Sequence, residues 1–295
     1  MMLIAGTVPA KELPLTITTA RTEDDSLVVD GQLIPCTQGT TATISAALAT
    51  TSYLGLDAPQ ILLAGDIGQG KGSRQIYEYL IEHIAELSPE VLVLHYWLPD
   101  MAQTKRLCEA VNKCPRRPIM IADAASMYSA KAAGLASEFD VFTPDATEMA
   151  FLADPEVTHP AYINRHLFDT DITRTPRLAE AAYHDNSAAR LLLVKGAIDY
   201  IINDGNIVAT IAEPDIPALE AIGGTGDTIT GLVAAFAYAG LEPAQAAIIA
   251  ARVNRSAGQL AKVTPATKVR QVIARYPDVF REYLHQKGNA WYWKE

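Results

Sequence analysis

The stretch that most constrains this chain is Gly223-Gly224-Thr225-Gly226-Asp227-Thr228-Ile229-Thr230-Gly231. Three glycines and a threonine lead into one acid, and a helical pattern follows at once. Apolar residues Ile229, Leu232, Val233, Phe236 and Ala237 recur at i, i+3, i+4, i+7 and i+8, and Gly240 supplies a stop. The spacing predicts a helix with one buried face and Asp227 in its first turn. Unpaired amides in a side-chain-free loop at a helix N-terminus attract an anion, which makes the loop a candidate phosphate cradle. A carboxylate held there can accept a proton from a substrate. The competing reading is a tight glycine turn with Asp227 as an ordinary N-cap. Local sequence leaves both open.

A chain of 295 residues with 49% hydrophobic and 20% charged residues has enough apolar material for one large domain over 1–295. Within it, 1–35 reads as a β-rich segment and 286–295 as an aromatic tail. The formal charge of -10 repels phosphate in bulk, which argues against nucleic acid or an anionic membrane as partner. Cys36, Cys108 and Cys114 are an odd set without CxxC spacing, as expected of reduced thiols in a cytoplasmic protein. No signal peptide is recognised, and no apolar run approaches the length of a membrane span.

Short apolar runs at 61–64, 91–94, 119–122, 141–143 and 191–194 alternate with helical patterns at 40–54, 73–87, 101–112, 126–135 and 176–183. Strand–helix alternation of this kind predicts a mostly parallel sheet covered on both faces. Asp30-Gly31 and Asn203-Asp204-Gly205-Asn206 mark two hairpins. Further helices are expected from Pro243 to about residue 263 and over 268–285, interrupted near Pro277. Residues 154–175, with His159 and His166, read as an irregular excursion. Trp291-Tyr292-Trp293 is too aromatic for free solvent, so the tail is expected to dock on the body or on another subunit. There is no internal repeat.

Several strand ends carry chemistry. Gly65-Asp66-Ile67-Gly68-Gln69-Gly70-Lys71-Gly72 imitates a P-loop, but Gly72 stands where Ser or Thr would hold magnesium, so a true Walker A is rejected. What remains is either a substrate-facing loop or a mobile strand-to-helix turn. His95-Tyr96-Trp97 offers rings for stacking on a ligand or for rim packing. Asp123, Asp145 and Glu148 lie just beyond strand ends, where open α/β sheets bind their ligands. Together they would suit a water-mediated magnesium site; singly, each is an ordinary cap or loop acid.

The ordered set Gly39-Thr40-Thr41-Ala42, Ala64-Gly65-Asp66-Ile67-Gly68, Ala122-Asp123-Ala124, Thr143-Pro144-Asp145-Ala146-Thr147-Glu148, Val194-Lys195-Gly196 and 223–231 resembles the ribokinase-like superfamily, over roughly residues 35–260. The Gly-rich loop is most similar to that of the ADP- or ATP-dependent NAD(P)H-hydrate dehydratases, which repair hydrated nicotinamide cofactors. The resemblance implies a three-layer αβα sandwich with a mostly parallel central sheet. The short interval between Ala64 and Val91 leaves no room for a separate β-lid. It also implies ATP or ADP with Mg2+, a small-molecule substrate and a homo-oligomer.

Carried over residue by residue, Lys195, Gly196, Gly223, Gly224, Thr225 and Gly226 would bind nucleotide, and Asp227 would be the catalytic acid-base residue. Gly39, Thr40, Asp66, Tyr96, Asp123 and Asp145 would face the substrate, and Glu148 would take the indirect magnesium position. In the kinase branches the same acid deprotonates an acceptor hydroxyl. A kinase for a small alcohol and a catalytically silent nucleotide-binding protein are therefore the alternatives. The chain departs from the dehydratase pattern twice. Asp145-Ala146-Thr147-Glu148 stands for His-Pro-Gly-Glu, and His95-Tyr96-Trp97 stands for a Gly-Pro-Gly turn, with bulk expected to fill space left for substrate.

Overall fold

A computed structural model of the chain describes residues 1–157, 174–288 and 290–294. Most of the excursion expected over 154–175 lies outside the described residues, as do His159 and His166.

The chain opens with β1 (Met2–Val8) and β2 (Thr16–Thr19), then a small meander of β3 (Arg21–Glu23), β4 (Ser26–Val29) and β5 (Gln32–Pro35). The turn between β4 and β5 is made by Asp30 and Gly31, both at positive φ as that tight turn requires. Helices and strands then alternate: α1 (Thr40–Leu54), β6 (Gln60–Gly65), α2 (Lys71–Leu87), β7 (Val91–His95), α3 (Met101–Val111), β8 (Ile119–Asp123), α4 (Ala125–Ala132), β9 (Val141–Phe142), α5 (Ala146–Ala153), α6 (Thr175–His184) and β10 (Leu191–Val194). A hairpin of β11 (Asp199–Asn203) and β12 (Asn206–Ile211) precedes α7 (Thr225–Tyr238) and α8 (Pro243–Ala261).

Among the described residues, nine strands share one sheet in the order β12-β11-β10-β9-β8-β7-β1-β6-β2. The strands from β10 to β6 run parallel, and the antiparallel β2 and β11–β12 finish the two edges. Continuous apolar runs form these strands because both faces are covered. Met2, Ile4, Val91 and Val93 point to one cluster with α1, α7 and α8, while Leu3, Ala5, Leu92 and Leu94 point to another with α2, α3 and α5. At roughly 1.5–3 kcal/mol for each fully buried aliphatic side chain, this two-sided burial fixes the register. The result is a three-layer αβα sandwich. From β1 the chain steps to β6 on one side, then crosses back over β1 to β7 and onward to β10. The carboxyl ends of β1 and β7 therefore flank the switch point where such sheets open a ligand crevice.

The helices α1 and α7 touch almost backbone to backbone. A Cβ on Gly231 would fall 2.2 Å from the Thr43 carbonyl oxygen. Gly231→Ala is expected to destabilise by about 1–3 kcal/mol through overpacking, although alanine is the better helix former by about 1 kcal/mol. A urea midpoint equal to or above that of the parent, at unchanged slope, would refute this.

One expectation is corrected at the C-terminal end, the extent of the last helix. The last helical stretch is split into α9 (Val269–Ile273) and α10 (Tyr276–Tyr283), with the break just before Pro277, which takes an early-helix position. It does not run to His285, because β13 (Leu284–Lys287) pairs with β14 (Ala290–Trp293). The tail docks on its own chain, with Trp293 stacked on Tyr283 at 5.0 Å and 5°. The β3–β5 meander packs Leu27 and Val29 into the α1 side of the core and contributes no wall to the cavity at the strand ends, so among the described residues there is no β-lid over it. Among the described residues, no helix is long and apolar enough to cross a membrane.

Candidate active site

The carboxyl ends of β7, β8 and β10 meet the N-termini of α5 and α7 around a cavity of about 520 Å³. Tyr96, Asp123, Asp145, Glu148, Lys195, Gly196, Thr225, Gly226 and Asp227 line it. Most of the polar residues singled out in the sequence are thus brought to one place.

Asp227 is the third residue of α7, whose N-cap is Gly224 at φ 95°. The N-cap reading of Asp227 is therefore excluded, since a residue without Cβ takes that left-handed position. The Asp227 carboxylate is held across the fold: Oδ2 accepts the Gly39 N–H at 2.6 Å, at the start of α1, and Oδ1 lies 3.3 Å from His95 Nε2. The Thr43 hydroxyl donates to the Asp227 carbonyl at 3.1 Å. Among the described residues the amides of Gly226 and Asp227 have no acceptor, so the positive end of α7 faces the cavity with donors free.

Behind Asp227 lies a charge cluster. Lys195 Nζ donates to both oxygens of Asp123 at 3.1 and 3.2 Å, and Asp123 is also bonded by the Thr230 hydroxyl and the Ala124 N–H. Burial works to raise the Asp123 carboxyl, but Lys195, then His95 and Thr230, hold it well below the usual carboxylate range. Burial likewise disfavours the Lys195 ammonium, and the surrounding acids, Asp123 foremost, push it above its ordinary value. His95, Asp123 and Asp227 each bring one ligand atom within 4.8 Å of the others, the spacing of a metal set. With Lys195 already on Asp123 and an imidazole between the acids, the cluster is charge-balanced by protein groups alone.

Asp145 and Glu148 form a capping box at α5, each carboxylate accepting the other's backbone N–H at 2.8 Å, and the Tyr128 hydroxyl donates to Glu148 at 2.9 Å. Burial first, then Asp145, pushes the Glu148 carboxyl up to about 8.

Other expected residues stand elsewhere or act indirectly. Asp66 does not reach the cavity: one oxygen accepts the N–H groups of Gly68, Gln69 and Gly70 and the other accepts both donors of Ser73. The loop imitating a P-loop is thus the cap of α2, and its glycines free the amides that saturate Asp66. Gly39 and Thr40 serve the acids instead of lining the cavity, Gly39 through Asp227 and Thr40 through His95 at 3.2 Å. The Thr225 hydroxyl turns back to Leu219 and Ile222, while Gly223 and Gly224 lie against Gln38. Of the bulky trio, Trp97 is buried away from the cavity, 4.6 Å from the Tyr77 ring. His95 is wholly buried beneath the acids, and only Tyr96, half exposed at φ 53°, stands on the rim. The expected filling of the substrate space by all three does not occur.

His95 was read only as a ring, and a titratable residue closing an apolar strand was the signal of its place among the acids. Two contributors escaped the sequence reading, Asn254 and Arg255, adjacent polar residues in an alanine-rich helix. Asn254 accepts from Thr228 at 2.9 Å and donates to the Thr225 carbonyl at 3.2 Å, bracing the first turn of α7. Arg255 binds Asp199 and the carbonyls of Gly196 and Ala197, bracing the opposite wall.

The family model for NAD(P)H-hydrate dehydratase (Carb_kinase) matches residues 80–275. An uncharacterized protein of Methanocaldococcus jannaschii is 34% identical over 241 residues, 82% of this chain and 99% of that one. The bifunctional NAD(P)H-hydrate repair enzyme Nnr of Pyrobaculum aerophilum is 30% identical over 194 residues, covering 64% of this chain but 35% of that enzyme. The chain therefore matches about a third of the length of that bifunctional relative. Among solved structures, the ADP/ATP-dependent NAD(P)H-hydrate dehydratase from Bacillus subtilis, co-crystallized with ATP/Mg2+, superimposes with a TM-score of 0.55 at 15% identity over 95% of this chain and 91% of that one. The pyridoxal kinase from Entamoeba histolytica gives 0.53 at 12% identity over 98% and 96%. At such identities the structures share the fold, which is ribokinase-like. By the extent of the family match, the chain belongs to the NAD(P)H-hydrate dehydratase family.

Proposed function

We propose that the chain is an ADP- or ATP-dependent dehydratase acting on hydrated NADH or NADPH. The observation that carries this is the convergence on one cavity of Asp227, Lys195 and the free amides at the α7 N-terminus. Removing the hydrate's hydroxyl needs a better leaving group than hydroxide, and a phosphoryl group from the nucleotide supplies one. Asp227 accepts the hydroxyl proton as the oxygen takes the terminal phosphoryl group and the shortened nucleotide departs; the carbon–oxygen bond then breaks, inorganic phosphate leaves, and loss of a proton from the adjacent ring carbon restores the double bond. The amides of Gly226 and Asp227 face the negative charge that develops on phosphate, and they are oriented before the substrate arrives. Lys195, beside Gly226, adds positive charge to the same wall.

Magnesium, when bound, neutralises part of the polyphosphate charge. The donor set fits it: Asp145 and Glu148 are hard oxygen ligands at the cavity wall, and a buried carboxyl pushed up to about 8 is one that a cation would ionise. Each of their engaged oxygens keeps a lone pair for a metal-bound water.

The reading is tested by supplying hydrated NADH with ATP or ADP and following NADH formation. The absence of NADH above the uncatalysed background would sink it. Independently, ATP with magnesium at 100 times its Kd is expected to stabilise the protein by about 2.7 kcal/mol, measured as a rise in Tm that scales with the logarithm of nucleotide concentration.

A further inference from the structure

His95 sits at the end of β7 with no exposed surface, and both of its ring nitrogens face polar groups. Nδ1 is 3.2 Å from the Thr40 hydroxyl oxygen, and that hydroxyl spends its own hydrogen on the Thr7 carbonyl at 2.8 Å. Thr40 can therefore only accept from the ring, so Nδ1 carries a hydrogen in either charge state. Nε2 faces two carboxylates, 3.3 Å from Asp227 Oδ1 and 3.5 Å from Asp123 Oδ2. A neutral ring would then turn a lone pair toward two anions. A protonated ring turns an N–H toward both, shared between them without an aligned bond to either.

The groups facing the ring are Asp123 from β8 and Asp227 from α7, with Lys195 behind Asp123 and the Tyr96 ring 5.0 Å away. From β1 and the first turn of α1 come only Thr7 and Thr40. Burial opposes charge on the ring, but the hydrogen-bonding and charge of Asp123 and Asp227 outweigh it and raise His95 to about 9. At neutral pH the cluster holds two anions and two cations.

We infer that His95 is the positioning residue of Asp227, its buried imidazolium giving the catalytic carboxylate a fixed direction and a counter-charge while Gly39 holds the other oxygen. The inference rests on Asp227 as the base of the proposed reaction. It assigns His95 a role that a mere core histidine would not have, because Nδ1 is held by Thr40 while Nε2 faces two carboxylates. Thr40 and Thr7 belong to the same device, since they fix which nitrogen titrates.

Two arms test it on the full chain. In the ligand-free protein, 15N shifts of the imidazole are followed from neutral to alkaline pH. His95 is expected to be doubly protonated at neutrality and to titrate near 9, with the midpoint falling by roughly one unit or more in Asp227→Asn. A ring that is neutral at pH 7, or a midpoint indifferent to Asp227→Asn, overturns the inference. This arm needs no turnover, so it stands even where the dehydratase reading fails.

With an active parent, His95→Gln is expected to lower kcat on the order of 10²-fold and leave the nucleotide KM within about twofold, as misplacement of a reacting group does. The sign of the pH effect follows from a raised histidine: the imidazolium is present below its pKa and lost above it. The parent's kcat therefore falls as pH rises through about 9, and that limb is absent from His95→Gln. Equal losses in kcat and nucleotide binding with the parental pH profile would mark a structural role only. Should His95→Gln fail to fold, Thr40→Val takes its place: it removes the Nδ1 acceptor together with the hydroxyl's bond to Thr7 and keeps the ring, so kcat is expected to fall at unchanged nucleotide KM with the alkaline limb shifted, and an unshifted limb overturns the inference.

Discussion

Asp227→Asn is expected to lower turnover of hydrated NADH by about 10³-fold while nucleotide binding and the fold survive. The magnitude follows from losing a general base, typically 10²–10⁴-fold. The substitution is close to isosteric, and the side-chain oxygen of asparagine can still accept the Gly39 N–H that now reaches the carboxylate at 2.6 Å. What disappears is the capacity to take a proton and the negative charge opposite His95. The α7 amides remain, so ATP should still raise Tm by nearly its parental increment. The measurements are kcat at saturating nucleotide and thermal shift on the same preparation. A variant within about threefold of the parent in kcat would remove Asp227 as the base. Parallel collapse of the thermal shift would instead mean that Asp227 holds the loop and not the proton.

Much of the architecture was legible because its causes are local or periodic. Apolar runs such as Val91 to Leu94 are written by burial on both faces, and that is where they lie. Asp204-Gly205, like Asp30-Gly31, sits at positive φ in a hairpin, as the turn chemistry dictates. The C-terminal stretch misled because Leu284 to Lys287 is a strand only by virtue of a partner three to nine residues on, a pairing that overrides helical patterning. The Asp66 loop misled for a different reason. An acid followed by glycines can serve a ligand or its own helix, and only the five inward hydrogen bonds decide for the helix.

The site divides the same way. Asp227, Lys195 and Glu148 were legible because each terminates or begins an element at the sheet's carboxyl edge. His95 was read as part of an aromatic rim because its meaning lies in Asp123 and Asp227, residues 28 and 132 positions away by their numbering. The N-cap reading of Asp227 was closed next door, by Gly224 taking that position, while its carboxylate meets a distant group, the Gly39 amide 188 residues upstream.

Arg255→Met is expected to cost about 3–5 kcal/mol of stability and to weaken nucleotide binding along with it. The guanidinium spends one hydrogen on Asp199 at 2.7 Å, two on the carbonyls of Ala212 and Pro214 and two on those of Gly196 and Ala197, which is its whole complement. Asp199 in turn accepts the Gly196 N–H at 3.1 Å, so the loop after β10 is tied at both its donor and its acceptor. Methionine keeps the volume of the stem and none of the bonds, leaving a buried carboxyl without its cation. Burial already raises the Asp199 carboxyl in spite of Arg255, and the substitution raises it further. A carboxyl whose folded pKa lies above its unfolded one stabilises least where it must ionise. The deficit of Arg255→Met should therefore grow as pH rises through the folded value and be smallest in mild acid. Adding Asp199→Asn should recover part of the loss, since removing a buried pair costs less than breaking it. Chemical denaturation at two pH values measures this, and a single variant within about 1 kcal/mol of the parent would refute it. The contrast with Asp227→Asn separates the two walls of the cavity: one variant is expected to lose the reaction and keep the nucleotide, while the other is expected to loosen the loop proposed to hold it.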